Sequence, residues 1–275
     1  MKIGLIAGEG SLPEEFLKSA QKKNIQVVIF GIKGITDPSL GNYGKLVWVD
    51  FGKLQQLIDS LKKEKIQDLI MLGKIEHKTL LESISEFDQR ALMFLSKLQD
   101  KRAVPILEGL IKEFEAEGFR FIDPMPFLED ILVKEGVLTK HKPDKKQLKD
   151  ANFGLKIAKS IAELDIGQTV VVKDQIVIAV EAIEGTDRCI LRGGSLGGEG
   201  TVVCKVARRN QDMRYDVPVI GIQTLKSMVE AKAKVLAVEA EKTYLIDKEN
   251  FIKFADKNGI TVIGIKLDES ISKGN

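Results

Sequence analysis

KIGLIAGEGSLPEEFLKSAQKKNIQVVIFG, residues 2–31, decides the fold class of this chain. Ile3–Gly8 is an unbroken apolar run closed by glycine, the pattern of a parallel strand buried on both faces. Ser11 is placed to cap a helix, with Pro13 and Glu14 in its first turn, and the helix is expected to run to about Lys23. Ile25–Gly31 is a second apolar run of strand length. Strand, helix and strand in about thirty residues make a βαβ unit, whose strands lie parallel.

Outward from this unit the alternation continues. Leu46–Asp50 reads as a strand, 53–63 as a helix and Gln67–Gly73 as a strand. Arg90–Glu117 has helical spacing broken near Ala103–Pro105, which predicts two helices, and Phe119–Asp123 follows as a strand. The expectation is a Rossmann-like N-terminal domain with a parallel sheet, residues 1–135. Thr139–Asp150, TKHKPDKKQLKD, is polar and lysine-rich. It reads as solvated surface within an exposed linker, 136–150, or as the lead-in to a helix. A second α/β domain with a mixed sheet is expected over 151–275. It has helices near 153–164, 225–232 and 248–258, and strands near 201–207, 235–240 and 261–265. A hairpin is predicted around Lys173-Asp174-Gln175.

Composition narrows the function. A net charge of +2, without a basic patch interleaved with aromatics, argues against nucleic acid as a partner. Cys189 and Cys204 are too few for a disulfide framework, which points to a reducing compartment, and Cys204 at an apolar strand position reads as an inert buried thiol. The start MKIGLIAGEG lacks a signal-peptide pattern, and no run reaches the roughly 20 apolar residues of a membrane span. A cytoplasmic protein is expected. His77 and His141 fit no ligand spacing and read as surface residues, so histidine-based chemistry is disfavoured.

Residues 181–221, EAIEGTDRCILRGGSLGGEGTVVCKVARRNQDMRYDVPVIG, hold six acids, six bases and a cluster of five glycines from Gly193 to Gly200. Carboxylates bind hard cations, arginines fork onto phosphate oxygens, and glycines let backbone amides approach an anion. In an extended segment Asp212, Arg214 and Asp216 would point to one side, where two carboxylates and a guanidinium could take Mg²⁺ and a diphosphate together. A surface ion-pair ladder is the bland alternative. Glu184, Gly185, Thr186 and Asp187 form a second acidic turn after a strand. In the first half, Gly8, Gly10 and Ser11 close one strand and open a helix, and Gly73 and Lys74 follow another strand. A plain turn and an ordinary surface lysine are the alternatives there. The third glycine of a dinucleotide fingerprint is replaced by Pro13, which disfavours a Rossmann oxidoreductase.

IGLIAGEGSLP, LGKI, EAIEGTD and KVARRNQDMRYDVPVIG, in this order along nearly the whole chain, resemble the UDP-2,3-diacylglucosamine diphosphatases of lipid A biosynthesis, the LpxI type. The resemblance implies a metal-dependent hydrolase that cleaves a lipid-linked nucleotide sugar to UMP and lipid X, by attack at the phosphorus nearer the sugar. It implies a UDP-binding N-terminal domain, a lipid-X-binding C-terminal domain and a homodimer. The essential aspartate falls on Asp216, in the step Arg214–Pro218, with Asp212 the neighbouring register. Glu9 stands where a glycine is expected, and Arg209 where a proline is common before the Gln211-Asp212 pair.

On this footing Mg²⁺ (or Mn²⁺) would be held by Asp216 and Asp212, with Asp187 nearby, and Lys205, Arg188 and Arg214 would balance phosphate charge. Gly8, Gly10, Ser11, Leu12, Gly73, Lys74, Glu184, Gly185, Thr186, Arg188 and Gln211 are the substrate-binding candidates. A lipid substrate makes transient contact with a membrane surface an expectation. The rivals are a hydrolase of soluble sugar nucleotides and a non-catalytic nucleotide or lipid carrier.

Overall fold

The opening apolar run forms β1 (Lys2–Ala7) and is followed by α1 (Leu12–Lys22) and β2 (Gln26–Ile32). The computed structural model describes residues 2–75, 84–98, 100, 103–208, 212, 214 and 217–267. Next come β3 (Lys45–Val49), α2 (Leu54–Lys63), β4 (Asp68–Leu72), α3 (Gln89–Lys97), α4 (Ala103–Ala116), β5 (Arg120–Phe121) and a short α5 (Met125–Leu128). The strands pair in parallel in the order β3-β2-β1-β4-β5. Alternation along each strand divides the sheet into two apolar faces. Ile6, Val28, Phe30 and Leu69 pack with Ile58 and Leu61 of α2, Phe94 of α3 and Phe114 of α4. The strand expected over Phe119–Asp123 is only two residues long, and Ile122 still donates its amide to Leu69 O.

The chain divides into two compact units at Glu129/Asp130, with Asp212 and Arg214 grouping with the first. Within 136–150, expected as an exposed linker or the lead-in to a helix, two stretches carry regular structure. β6 is Gly136–Val137, and α6 runs over Lys145–Glu163. The early helix start has a local cause. Asp144 accepts from the amides of Lys146 and Gln147, and Gln147 returns a bond to the Asp144 amide, a complete capping box. Asp150, read as a solvated charge, is 3% exposed; its carboxylate receives the amides of Asp174 (2.9 Å) and Gln175 (2.7 Å). Those two residues, at φ +55° and +57°, form the tight turn between β7 (Thr169–Lys173) and β8 (Ile176–Val180), so the predicted hairpin is present.

The second unit continues with α7 (Thr186–Gly197), β9 (Val202–Lys205), β10 (Val219–Ile220), α8 (Ile222–Glu230), β11 (Val235–Glu239), β12 (Tyr244–Leu245), α9 (Lys248–Lys257) and β13 (Thr261–Ile265). Its main sheet has the order β6-β13-β11-β9-β7-β8. The central strands β13, β11 and β9 are parallel, and the outer ones antiparallel, which is the mixed sheet expected. Helix α6 lays Ala151, Leu155 and Ala158 on Val170, Val172 and Cys204. On the other face Ile190, Leu225 and Phe251 of α7, α8 and α9 meet Val171, Val203 and Val262. Burial pushes the Cys189 thiol up to about 12 and the Cys204 thiol up as well, so both stay protonated, free and unreactive.

Candidate functional site

At the carboxyl edge of the first sheet, where open α/β sheets take their ligands, the loops after β1 and β4 are zipped together. The Glu9 amide donates to Lys74 O (2.9 Å), the Lys74 amide to Glu9 O (2.8 Å), and the Gly8 amide to Leu72 O (2.8 Å). This approach requires glycine: a Cβ on Gly73, at φ +98°, would lie 2.7 Å from the Gly8 carbonyl carbon. The amides of Gly8, Glu9 and Lys74 are therefore spent on joining these two loops. Gly10 and Ser11 remain exposed at the start of α1, and Ser11 forms no side-chain cap. Leu12 is a core residue at 8% exposure.

In the second unit the candidate residues gather at the start of α7. Gly185, at φ +81°, turns the chain into the helix. The Thr186 hydroxyl donates to Glu181 Oε1 (2.9 Å), stands 3.3 Å from the Thr169 hydroxyl, and receives the Lys205 ammonium at 3.3 Å. Register explains the convergence, since Thr169 on β7 is directly opposite Lys205 at the carboxyl end of β9. Asp187 Oδ1 accepts from the Ser227 hydroxyl of α8 (3.1 Å), and Arg188 is exposed. Glu184 is paired with Arg192, whose guanidinium holds its carboxyl below the usual range. A helix start with its positive dipole end and an adjoining ammonium suits an anionic group.

The five-glycine cluster begins about 10 Å along this helix, at 1.5 Å per residue, and runs past its far end. Gly193 and Gly194 serve packing. A Cβ on Gly193 would meet the Val171 side chain at 2.7 Å, and one on Gly194 the Ala231 carbonyl oxygen at 2.4 Å. The helix end presents carbonyls, and Lys173 takes those of Gly197 (2.7 Å) and Glu199 (2.9 Å). The expected anion cradle here is thus the close contact of a helix with its neighbours, ended by a lysine.

Asp212 and Arg214 group with the first unit, and Arg214 lies in a turn where an extended course was expected. Asp212 Oδ1 accepts the Arg214 amide at 3.0 Å, a side-chain turn typical of aspartate. The Arg214 guanidinium then closes on both oxygens, Nε at 3.0 Å from each and Nη2 at 2.6 Å from Oδ2. It holds the Asp212 carboxyl below its ordinary range, and reaches Glu115 at 3.6 Å. Asp216, Gln211, Arg209 and His77 lie outside the described residues. Among the described residues no three His, Cys, Asp or Glu side chains converge as a cation site. Asp212 has its acceptor positions filled by Arg214, so the described acids do not by themselves fit a resident metal.

Sequence reasoning missed Glu239 and Lys159. Glu239 ends β11 at 3% side-chain exposure, with both carboxylate oxygens 2.9 Å from Lys159 Nζ. Lys159 also donates to Ala207 O (2.9 Å), and the Ala207 amide donates to Glu239 Oε2 (3.0 Å). The pair therefore pins both backbone groups of Ala207, just before the charged run that begins at Arg208. An acid closing the otherwise apolar run VLAVE was the available signal.

Two α/β units, each with polar residues at the carboxyl edges of its strands, define a two-domain α/β protein. Residues 2–131 match the LpxI N-terminal domain and residues 134–263 the LpxI C-terminal domain. The chain belongs to the LpxI family. It is 29% identical over 279 residues to the UDP-2,3-diacylglucosamine pyrophosphatase LpxI of Caulobacter vibrioides, covering 98% of this chain and 99% of that one. Likenesses to solved structures are weak. A UDP-glucose-4-epimerase of Stenotrophomonas maltophila, with NAD and a formylated UDP-arabinopyranose bound, is 14% identical with a TM-score of 0.30; 44% of this chain and 36% of that one align. Leucoanthocyanidin reductase of Vitis vinifera with NADPH is 11% identical with a TM-score of 0.32, covering 98% and 79%. Neither carries an argument about function. Among the described residues no helix is long and apolar enough to cross a membrane.

Proposed function

We propose that this chain hydrolyses the diphosphate bond of UDP-2,3-diacylglucosamine, giving UMP and 2,3-diacylglucosamine 1-phosphate. The observation that carries this reading is the match to a pyrophosphatase of that name along the full length of both chains. The polar group at the start of α7 supports it. Lys205 and the helix amides supply positive charge there, Thr186 is held in place by Glu181, and Arg188 is exposed beside them. Cleaving a phosphoanhydride mainly demands positioning and charge neutralisation, which such a group provides.

A divalent cation, Mg²⁺ or Mn²⁺, is part of the proposal, and when bound it adds charge neutralisation at the diphosphate. Asp216 is its first donor in this reading, and Asp212 joins only when Arg214 releases it. The protein would work in the cytoplasm as a homodimer, touching the membrane surface to collect its lipid-linked substrate. EDTA should silence hydrolysis and added Mg²⁺ restore it, with UMP release as the readout; full activity in chelator would remove the metal from the account. Side-by-side assays on UDP-2,3-diacylglucosamine and non-acylated UDP-glucosamine test the substrate. The acylated compound is expected to turn over far faster, and equal rates would favour a hydrolase of soluble sugar nucleotides.

A further inference from the structure

Glu181 directly follows β8 and is fixed at both its main chain and its side chain. Its amide donates to Thr169 O at 2.8 Å, and Oε2 accepts the Gln168 amide at 3.2 Å. Gly167 approaches so closely that a Cβ there would stand 2.0 Å from the Glu181 carbonyl oxygen. The remaining oxygen, Oε1, receives the Thr186 hydroxyl at 2.9 Å. Proton counts set the direction of every bond around that hydroxyl. A carboxylate has no proton to give, and an ammonium has no lone pair to offer. Thr186 therefore donates to Glu181, and its two lone pairs take the Lys205 ammonium and the Thr169 hydroxyl, each at 3.3 Å. Thr169 is 0% exposed, so its hydroxyl is committed to this group. With its one donor and two acceptors in use, Thr186 has no hydrogen-bonding capacity left for a substrate atom, and its part in the site runs through Lys205.

We infer that Glu181 is a positioning residue for the hydrolysis, holding the Lys205 ammonium in place through Thr186. The inference rests on the proposed reaction, in which Lys205 balances charge on the diphosphate. A lysine head is a compact charge on a flexible four-carbon stem, and its own covalent structure gives it no direction. A hydroxyl already bonded to a carboxylate is a stronger acceptor, because hydrogen bonds in a chain polarise one another. Glu181 thus sets the direction of Lys205 by way of a neutral hydroxyl.

Two readouts on the full chain test this. The first is UMP release from UDP-2,3-diacylglucosamine. Glu181→Ala and the nearly isosteric Thr186→Val should each lower kcat by about 10–100-fold, the range for removing a supporting partner, with KM close to wild type. Thr186→Val should also keep the wild-type melting temperature. Thr186→Ser, which retains the hydroxyl, should restore the wild-type kcat. In a Lys205→Ala background Thr186→Val should cost nothing further, because residues that act as one unit are not additive. Losses that multiply in the double variant, failure of the serine to rescue, or a rise in KM alone would overturn the role. The second readout needs no turnover: acetylation of Lys205 by sulfo-NHS-acetate, followed by mass spectrometry. An ammonium released from its acceptor should react several-fold faster in Thr186→Val and in Glu181→Ala. Unchanged reactivity would overturn the positioning whatever the turnover shows. Faster acetylation in variants of a protein that releases no UMP would instead sink the hydrolysis and keep the tether on Lys205.

Discussion

Asp216→Ala should keep the melting temperature of the wild-type protein and lose turnover by about 10²–10³-fold or more, the scale for removing a group that stabilises developing charge. Asp212→Ala should lose less, in the range of about 10–100-fold seen when a supporting partner is removed. The structure supplies the reason for the contrast. Asp212 spends both oxygens on Arg214, receiving its amide, Nε and Nη2, so its loss is felt through the freed guanidinium. Asp216 carries the essential carboxylate in the proposed reading. Parallel measurement of kcat and thermal melting for the two variants decides the matter. The reverse order of effects would exchange the roles of the two aspartates.

The second large effect is on stability. Glu239→Ala leaves the Lys159 ammonium at 17% side-chain exposure without its carboxylate, and leaves the buried Ala207 amide without an acceptor. Stranding one member of a buried ion pair costs about 3–5 kcal/mol. At about 2–4 °C per kcal/mol, the unfolding transition of the second unit should drop by about 6–20 °C. Replacing both partners, as Lys159→Met with Glu239→Leu, should recover much of the loss, because desolvation of two charges is then avoided. A shift under about 2 °C in Glu239→Ala would show that the pair does not hold Ala207 as described.

Much of the fold was legible because its signals are local. The strand, turn and helix of residues 2–31 carry their own period and stop signals, and the hairpin at Asp174-Gln175 follows from two β-rich runs around a short polar break. The start of α6 was equally local, Asp144 and Gln147 being three residues apart, but the surrounding lysines made it look like linker. The glycines at 193 and 194 were misread because close packing and backbone freedom leave the same letter in a sequence. The polar group around Thr186 was legible only in part. Glu184, Asp187 and Lys205 stood out as charged, while Glu181 and Thr169 join them through strand register, which no spacing along the chain reveals.

One measurement bears most directly on the central claim: mass spectrometry of the products formed from UDP-2,3-diacylglucosamine and Mg²⁺ in ¹⁸O-labelled water. The expected result is UMP together with 2,3-diacylglucosamine 1-phosphate carrying the label, as attack at the phosphorus nearer the sugar requires. Stoichiometric binding with no UMP released would contradict it.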